Sequence, residues 1–197
     1  MKQKVLLASN NAHKIKEIRA ILGDFFDIVS LREAGVESDP EETGKTFEEN
    51  ARIKAVAGMK ASGMPCIADD SGLEVLSLDC RPGVMSARYS GSHGDDAANN
   101  EKLLAELADK PDRSARYVCV ICMAFPDGRE LEARGECYGE ILKEKRGNGG
   151  FGYDPLFIPD GYTTTFAEMS PGAKNGISHR GRAVAKLAAF LRGEEAR

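Results

Sequence analysis

An apolar segment interrupted by two adjacent acids restricts the folds that are open to this chain. Residues 65–75 read PCIADDSGLEV, and the first half has the composition of a buried strand that breaks off at Asp69 and Asp70. Burying a carboxylate costs several kcal/mol unless a cation, a proton or a hydrogen-bond donor compensates it. In an α/β sheet, functional sites usually lie where strands end. We therefore predict that this acid pair faces a partner there, and a metal ion is the partner we favour.

The composition indicates one compact domain. The chain has 197 residues, of which 42% are hydrophobic and 29% charged. The formal net charge is -4, from 27 basic and 31 acidic residues, which gives no global field for nucleic acid or a membrane surface. We therefore expect neither a nucleic-acid nor a membrane partner, and an anionic ligand has to be held by a local cluster.

The cysteines and the N-terminus favour a reducing, cytoplasmic compartment. The five cysteines are an odd number among apolar neighbours, and the apolar run after Lys4 is too short for a signal peptide. Cys119 and Cys122 form a C-x-x-C, but they lie in the strand-like run 117–125, where positions three apart face opposite sides. We predict that this pair packs in the core, with metal binding or redox chemistry as the alternative.

The apolar pattern predicts strands alternating with helices. Val5 to Ala8 reads as a short buried strand, which a polar loop and an amphipathic helix follow. The other predicted elements are strands at 28–31, 117–125 and 130–141, helices at 46–61 and 95–107, and a C-terminal helix capped by Ser178-His179-Arg180. On the 46–61 helix, Asn50 and Lys54 lie beside the apolar stripe, so both can point at the fold.

The loop after the first strand is a candidate phosphate site. Ser9, Asn11 and Lys14 place a hydroxyl, an amide and an ammonium at the start of a helix, where free N–H groups and the positive end of the helix dipole attract anions. The alternative is a helix cap followed by a solvated lysine.

Four carboxylates are candidate metal ligands. Glu41, Glu42, Asp69 and Asp70 form two clusters, each next to an apolar segment. Magnesium prefers such oxygen ligands and shares them with substrate phosphates and water. For Glu41 and Glu42 the alternative is a solvated loop that favours the start of the following helix.

The glycine-rich segment 147–152 does not predict a dinucleotide site. Its three spaced glycines satisfy G-x-G-x-x-G, but Tyr153-Asp154-Pro155 prevents the helix that a Rossmann fingerprint opens, and no P-loop pattern occurs in the chain. Glycines also let a backbone approach a ligand closely, with Phe151 and Tyr153 available to stack on a flat ring and Asp154 to accept from its N–H groups. An ordinary turn before a strand is the alternative.

A group of donors lies late in the chain, at Lys174, Ser178, His179 and Arg180. These side chains could fix phosphate oxygens or the carbonyl edge of a base, or they could simply cap a helix. A Ser-His-Asp hydrolase is disfavoured because Ser71 does not stand in a G-x-S-x-G elbow.

Taken together, these segments resemble the inosine triphosphate pyrophosphatase family, which hydrolyses non-canonical purine nucleoside triphosphates. Six motifs match in order through nearly the whole chain: Ser9-Asn10-Asn11-Ala12-His13-Lys14, Glu41 to Ala51, Ala68 to Leu73, Ser86-Ala87-Arg88-Tyr89, Gly149 to Pro155, and Ser178-His179-Arg180. One departure is Asn10, where many members have glycine; it concerns only the backbone shape of that loop.

The resemblance implies an α/β fold with a long, mixed, twisted sheet flanked by helices. It implies a single domain over residues 1–197 with two lobes and a central cleft, the middle hairpin at roughly 116–141 in one lobe, and a homodimer as the assembly.

The resemblance also implies a magnesium-dependent reaction in which ITP, XTP or dITP gives the monophosphate and pyrophosphate. By matching position, Asp70 would be the catalytic residue, and Asp70, Glu42 and Glu41 would serve the metal. The substrate-binding residues would be Ser9, Asn10, Asn11, Ala12, His13, Lys14, Lys54, Ser71, Phe151, Gly152, Tyr153, Asp154, Lys174, Ser178, His179 and Arg180. Two alternatives stay open: a pyrophosphatase acting on other canonical or modified nucleotides, and a catalytically silent nucleotide-binding module.

Overall fold

The structure is a computed structural model that describes residues 2–193. Met1 and residues 194–197, which the predicted domain also includes, lie outside the described residues. The strands are β1 (Gln3–Leu7), β2 (Phe26–Ser30), β3 (Cys66–Val75), β4 (Arg81–Pro82), β5 (Ser114–Ala124), β6 (Glu130–Ile141) and β7 (Phe157–Pro159). The helices are α1 (Ala12–Leu22), α2 (Leu31–Ala34), α3 (Phe47–Ser62), α4 (Asp96–Glu106), α5 (Pro171–Ile177) and α6 (His179–Leu191).

The strands form one mixed sheet in the order β2-β1-β3-β5-β6-β7, with β4 added beside β3. Strand β1 is parallel to β2 and to β3, whereas β4 is antiparallel to β3 and β7 is antiparallel to β6. The neighbouring strands β5 and β6 are joined by the short turn at residues 126–128. The predicted mixed α/β sheet flanked by helices is therefore confirmed.

The prediction that a strand breaks off at the acid pair is wrong. Strand β3 runs through Asp69 and Asp70 to Val75, and both acids are almost completely buried. The strand continues because each carboxylate meets a cation inside the protein, so its burial is compensated without a change of chain direction.

The chain divides into two compact units, each assembled from separate segments. Within the described residues, the first unit comprises residues 2–70, 119–135 and 180–193, and the second comprises residues 71–118 and 136–179. Segments of β3, β5 and β6 contribute to both units. The single domain with two lobes and a central cleft stays a prediction.

In the first unit, strand alternation distributes the helices between the two faces of the sheet. Val5, Leu7 and Ile67 pack in one core cluster with residues of α1 and α6. The intervening residues meet α3 instead: a Cβ added to Gly58 would lie 2.6 Å from the Sγ of Cys66 and 3.3 Å from Cδ2 of Leu6. Successive strand residues therefore contact different helices, which determines where the acids of β3 point.

The second unit has its own core, in which β3 and β5 residues pack against α4 and the segment around β7. Its buried members include Leu73, Leu103, Tyr117, Tyr153 and Phe157. No helix among the described residues is long and apolar enough to cross a membrane.

Helix α3 begins and ends with strong local signals. Thr46 forms a capping box with Glu49, and Gly63 ends the helix in the left-handed conformation at φ 67°. The predicted helix at 46–61 is confirmed to within one residue at each end.

Candidate active site

The loop between β1 and α1 is organised by a helix cap. The side-chain oxygen of Asn11 accepts from the backbone N–H groups of His13 (3.0 Å) and Lys14 (3.2 Å). The hydroxyl of Ser9 accepts from the N–H of Asn11 at 3.2 Å. The cap interpretation is thus confirmed, and residues 10–13 are exposed at the start of the helix.

Lys14 is not the solvated lysine of the alternative interpretation. Its ammonium lies 3.0 Å from the carboxylate of Asp69, whose side chain is 1% exposed. Strand β3 is parallel to β1 and extends past the end of β1, which places Asp69 level with the loop that leads into α1. The first turn of that helix therefore reaches the acid directly.

Arg180 at the start of α6 is the second cation on Asp69. Its Nη2 and Nε donate to the same carboxylate oxygen at 3.2 and 3.3 Å, and its Nη1 donates to Glu17 on α1. The guanidinium is almost completely buried between these two acids. The resemblance assigned Arg180 to the base pocket, and the structure places its side chain in this ion-pair network of the first unit.

The network keeps Asp69 ionised. Burial alone would raise the pKa of Asp69, but the charges of Lys14, Arg180 and Lys54 outweigh it and hold the pKa well below its usual range. The same pairing raises the pKa of Arg180, against the effect of burial. Asp69 is consequently a fixed negative charge that orients two cations.

Asp70 points to the opposite face of the sheet, where α3 lies. Its Oδ1 accepts from the ammonium of Lys54 at 2.9 Å, and its Oδ2 accepts from the side-chain amide of Asn50 at 3.4 Å. Asn50 is buried and also accepts from the backbone N–H of Gly44 at 2.9 Å. The prediction that Asn50 and Lys54 point at the fold is confirmed.

The protonation behaviour of Asp70 differs from that of its neighbour. Burial raises the pKa of Asp70 above its ordinary value, and the nearby charges of Lys54 and Lys14 only partly offset that rise. Burial acts to lower the pKa of Lys54, but the negative charges of Asp70, Asp69 and Glu42 together raise it. Two adjacent carboxylates whose pKa values are displaced in opposite directions are typical of paired chemical roles.

Two of the four predicted metal ligands converge on one point. The ammonium of Lys54 lies 2.9 Å from Asp70 and 3.3 Å from Glu42. Glu41 is exposed, and Asp69 faces the other side of the sheet. Among the described residues no three His, Cys, Asp or Glu side chains are grouped to hold a metal by themselves. Two oxygen ligands do fit magnesium, which usually takes one or two carboxylates and completes its shell with water and substrate phosphates.

The second unit holds most of the other predicted residues. The loop at residues 147–152 turns sharply, and Gly150 adopts a φ of 72°. A Cβ at Gly150 would lie 2.0 Å from the carboxylate of Asp154, so only glycine permits this approach. That carboxylate accepts from the backbone N–H of Phe151 at 2.9 Å, which closes the loop on itself.

Asp154 and Lys174 form a buried ion pair. Their charged atoms are 2.7 Å apart, and the side chains are 3% and 6% exposed. The ammonium also lies 4.9 Å from the centre of the Phe151 ring, within the range of a cation–π contact. Three predicted pocket residues are thus brought together by the fold.

Tyr117 on β5 joins the remaining members, and the sequence interpretation missed it. Its ring stacks on that of His179 with centroids 4.5 Å apart and planes inclined by 8°. Its hydroxyl donates to Asp154 at 3.4 Å. The only signal was a tyrosine inside a buried strand, where the hydroxyl needs a polar partner.

Tyr153 and Ser178 have structural contacts in the same unit. Tyr153 is 3% exposed, packs in the core, and donates its hydroxyl hydrogen to the carbonyl of Ser86 at 2.9 Å. The Tyr153 ring therefore anchors the loop in the core, whereas the ring of Phe151 is only half-buried. Ser178 ends α5 through its backbone N–H, which donates to the carbonyl of Lys174 at 2.8 Å. The substrate-binding roles of these residues, and of Ser71, stay predictions.

The C-x-x-C pair packs as predicted. Cys119 and Cys122 are buried free thiols. Burial raises the pKa of each thiol to about 12, and the negative charges of Asp69 for Cys119 and of Glu130 and Glu132 for Cys122 add to the rise.

A model of the Ham1 family matches residues 5–190. The chain belongs to the Ham1 family. A relative from Clostridium perfringens named dITP/XTP pyrophosphatase is 52% identical over 200 residues, which cover 97% of this chain and 98% of the relative. A protein of the same name from Nocardia farcinica is 52% identical over 190 residues, covering 93% and 92% of the two chains.

Solved structures of the Ham1 family have the same fold. The Ham1 protein of Staphylococcus aureus superposes with a TM-score of 0.88 at 45% identity, and a HAM1 protein from Coxiella burnetii with 0.89 at 42% identity. Each comparison covers 97% of this chain and 99% of the other. The family resemblance that six ordered motifs indicated is confirmed.

Proposed function

We propose that this Ham1-family chain hydrolyses non-canonical purine nucleoside triphosphates, ITP, XTP and dITP, to the monophosphate and pyrophosphate. The observation that carries the proposal is the pair of buried carboxylates in β3. Asp69 is a fixed anion between Lys14 and Arg180, and Asp70 has a raised pKa beside Lys54. The names of relatives that are 52% identical and nearly full-length matches support the same reaction.

The first unit supplies the groups that the triphosphate needs. Lys14 and Lys54 provide two ammonium groups, each oriented by an acid of β3. Ser9 and Asn11 lie at the N-terminus of α1, where backbone N–H groups and the helix dipole favour phosphate oxygens. We assign these four residues to the phosphates, and the exposed residues Asn10, Ala12 and His13 to the same loop site.

Magnesium fits the two carboxylates that converge at Lys54. Glu42 and Asp70 would hold the ion, which would neutralise the developing charge of the pyrophosphate leaving group. Glu41, exposed on the same loop, remains a third candidate ligand. The ammonium of Lys54 is already placed by these two acids, so it adds a fixed positive charge at the same point.

Asp70 is the group that we assign to proton transfer. Water attacks the α-phosphorus, a bond forms between its oxygen and phosphorus, and the bond from phosphorus to the bridging oxygen of the β-phosphate breaks. Asp70 accepts a proton from the attacking water, a task for which a raised pKa brings a carboxylate closer to working pH. Lys14 and Lys54 stabilise the charge that moves onto the pyrophosphate.

The second unit supplies the groups that we assign to the base. The ammonium of Lys174 is a hydrogen-bond donor for an acceptor on the base, and Phe151 offers a half-buried aromatic face. Tyr117 holds Asp154 and His179 in place. The 6-oxo group of hypoxanthine and xanthine accepts hydrogen bonds, whereas the amino group of adenine donates. A donor left unpaired by the wrong base costs about 1–3 kcal/mol, so each such contact changes selectivity by about fivefold or more.

Release of pyrophosphate from ITP, XTP and dITP in the presence of Mg²⁺ tests the proposal, with ATP and GTP as matched controls. We expect pyrophosphate as the inorganic product and a kcat/KM for ITP at least about 25-fold above that for ATP, whose 6-amino group and N1 acceptor mispair at two positions. For GTP, which differs from ITP by its 2-amino group alone, we expect a kcat/KM at least about fivefold below that for ITP. Equal rates on GTP would contradict the assigned specificity. Orthophosphate as the sole product would identify a different reaction.

We also propose a cytoplasmic homodimer. All five cysteines are free thiols, four of them buried, as a reducing compartment favours.

Sedimentation equilibrium at micromolar concentration measures the assembly directly, and a mass near the 21.3 kDa of one chain would contradict the dimer.

A further inference from the structure

Helix α4 holds the peptide units on both sides of Gly152. The N–H of Gly152 donates to the carboxylate of Asp96 at 2.6 Å, and its carbonyl accepts from the side-chain amide of Asn100 at 2.9 Å. Asp96 begins α4 and Asn100 lies one turn later, so the two side chains extend from one face of the helix. The Asn100 amide also donates to the backbone carbonyl of Asp96 at 2.5 Å, which fixes its orientation.

These contacts supply what the loop itself lacks. Within the loop, Phe151 and Asp154 hydrogen-bond each other, through Phe151 N–H to the Asp154 carboxylate and through Asp154 N–H to the Phe151 carbonyl. Gly152 lies between them with a φ of 63°, a conformation that costs glycine little but that needs outside contacts to become the single one adopted. Helix α4 supplies Gly152 with one donor, the Asn100 amide, and one acceptor, the Asp96 carboxylate. Asn100 is 2% exposed.

We propose that Asp96 and Asn100 are positioning residues for base recognition. They fix Gly152 and thereby the directions of the Phe151 ring and the Asp154 carboxylate on either side of it. This inference rests on the proposed function, because it takes the segment from Phe151 to Asp154 as the base site. The groups assigned to phosphates and proton transfer belong to the first unit, so loss of the α4 contacts weakens base binding and selectivity rather than the chemical step.

The test compares Asn100→Ala with Asn99→Ala. Asn99 lies on the same helix and is equally buried, but its side chain accepts from Ser90 N–H (2.7 Å) and donates to the Ala87 carbonyl (3.4 Å). Loss of one buried hydrogen bond corresponds to about a tenfold change in binding, so we expect Asn100→Ala to raise KM for ITP about tenfold and to reduce the preference for ITP over GTP. We expect kcat to stay within about threefold, and Asn99→Ala to destabilise the protein with KM within about twofold of the parent.

Asp96 provides a rescue. Asp96→Asn keeps an oxygen that accepts from Gly152 N–H and should retain the parent KM, whereas Asp96→Ala should match Asn100→Ala. An equal KM for Asn100→Ala and Asn99→Ala, or a fall in kcat alone, would overturn the proposal.

Hydrogen exchange of residues 149–156 without substrate separates this inference from the proposed function. We expect faster exchange in Asn100→Ala than in Asn99→Ala. If the two variants exchange equally fast and the parent hydrolyses ITP, the role of α4 is refuted and the proposed function stands. A parent inactive on ITP and XTP would remove the proposed function and base recognition together, whatever the exchange of this loop.

Discussion

Asp69 and Asp70 are neighbours in sequence and have opposite electrostatic surroundings. Asp69 is held by Lys14 and Arg180 on one face of the sheet, and Asp70 contacts Lys54 and Asn50 on the other. The alternation of a β-strand produces this separation from two identical residues. Asp69 therefore serves as a fixed counter-charge for two cations, and Asp70 is the acid that we propose for proton transfer.

Matched asparagine variants test this division. Asp69→Asn leaves the buried Arg180 and the partly buried Lys14 without a full counter-charge, so we expect the free energy of unfolding to fall by about 3 kcal/mol. Asp70→Asn removes a carboxylate that burial disfavours and leaves the Lys54 ammonium paired with Glu42, so we expect less than about 1 kcal/mol of destabilisation but a loss of turnover of about a hundredfold or more. Urea unfolding and pyrophosphate release measure the two effects. Unchanged turnover in Asp70→Asn would remove Asp70 from the mechanism.

The pH dependence of unfolding provides the control for Asp69. Its pKa is lower in the folded protein than in the unfolded chain, where an aspartate titrates near 4. Its stabilising contribution is then fully present above that pH and is lost as the pH falls toward the folded pKa. The difference in unfolding free energy between the parent and Asp69→Asn should shrink below about pH 4. A difference independent of pH would contradict the ion-pair explanation.

At the scale of elements, α3 approaches the sheet closely because residue 58 has no side chain. A Cβ there would lie 2.6 Å from Cys66 Sγ and 3.2 Å from Ala8 Cβ. Lys54 lies one turn earlier on the same helix, so the depth of this contact also determines where its ammonium meets Asp70. Packing of one helix thus positions a residue of the candidate site.

Gly58→Ala should destabilise the protein although alanine favours helices. Helix propensity would add up to about 1 kcal/mol of stability, while the clash forces helix and sheet apart at an overpacking cost of about 1–3 kcal/mol. We expect a net loss of about 1 kcal/mol in chemical unfolding. Gly176→Ala in α5, where an added Cβ meets nothing within 4 Å, is the control and should be neutral or stabilising. A stabilised Gly58→Ala would show that the helix shifts without cost.

The helices and strands could be predicted from the sequence better than the side-chain contacts between them. Helix α3 could be predicted from Thr46 and its apolar spacing, because caps and periodicity are local properties. The continuation of β3 through Asp69 could not, because the compensating Arg180 lies 111 residues away. The position of Tyr117 on His179 is likewise a product of tertiary packing. Motif residues identified the candidate site, and only the fold shows which of them pair.

At the scale of the whole molecule, the reactivity of each cysteine thiol depends on whether the fold buries it. Cys80 is exposed, and the other four are buried. Burial raises the pKa of Cys66, Cys119 and Cys122 to about 12, which disfavours the reactive thiolate.

The native protein should therefore react with a thiol reagent such as DTNB at one site within minutes, and at five sites after denaturation. Cys80→Ser should abolish the rapid phase. A fast phase larger than one thiol per chain would mean that a core strand opens readily. Its persistence in Cys80→Ser would contradict the assigned exposure.

The division of each unit into separate segments has a consequence for biosynthesis. A polypeptide emerges from the ribosome N-terminus first, and β3 with Asp69 appears long before α6 with Arg180. Until α6 has left the exit tunnel, this carboxylate lacks the guanidinium that later covers it, and the first unit cannot close. Native contacts of such long sequence separation form late and slowly. The nascent chain therefore completes the ion pairs of Asp69 only after α6 has emerged.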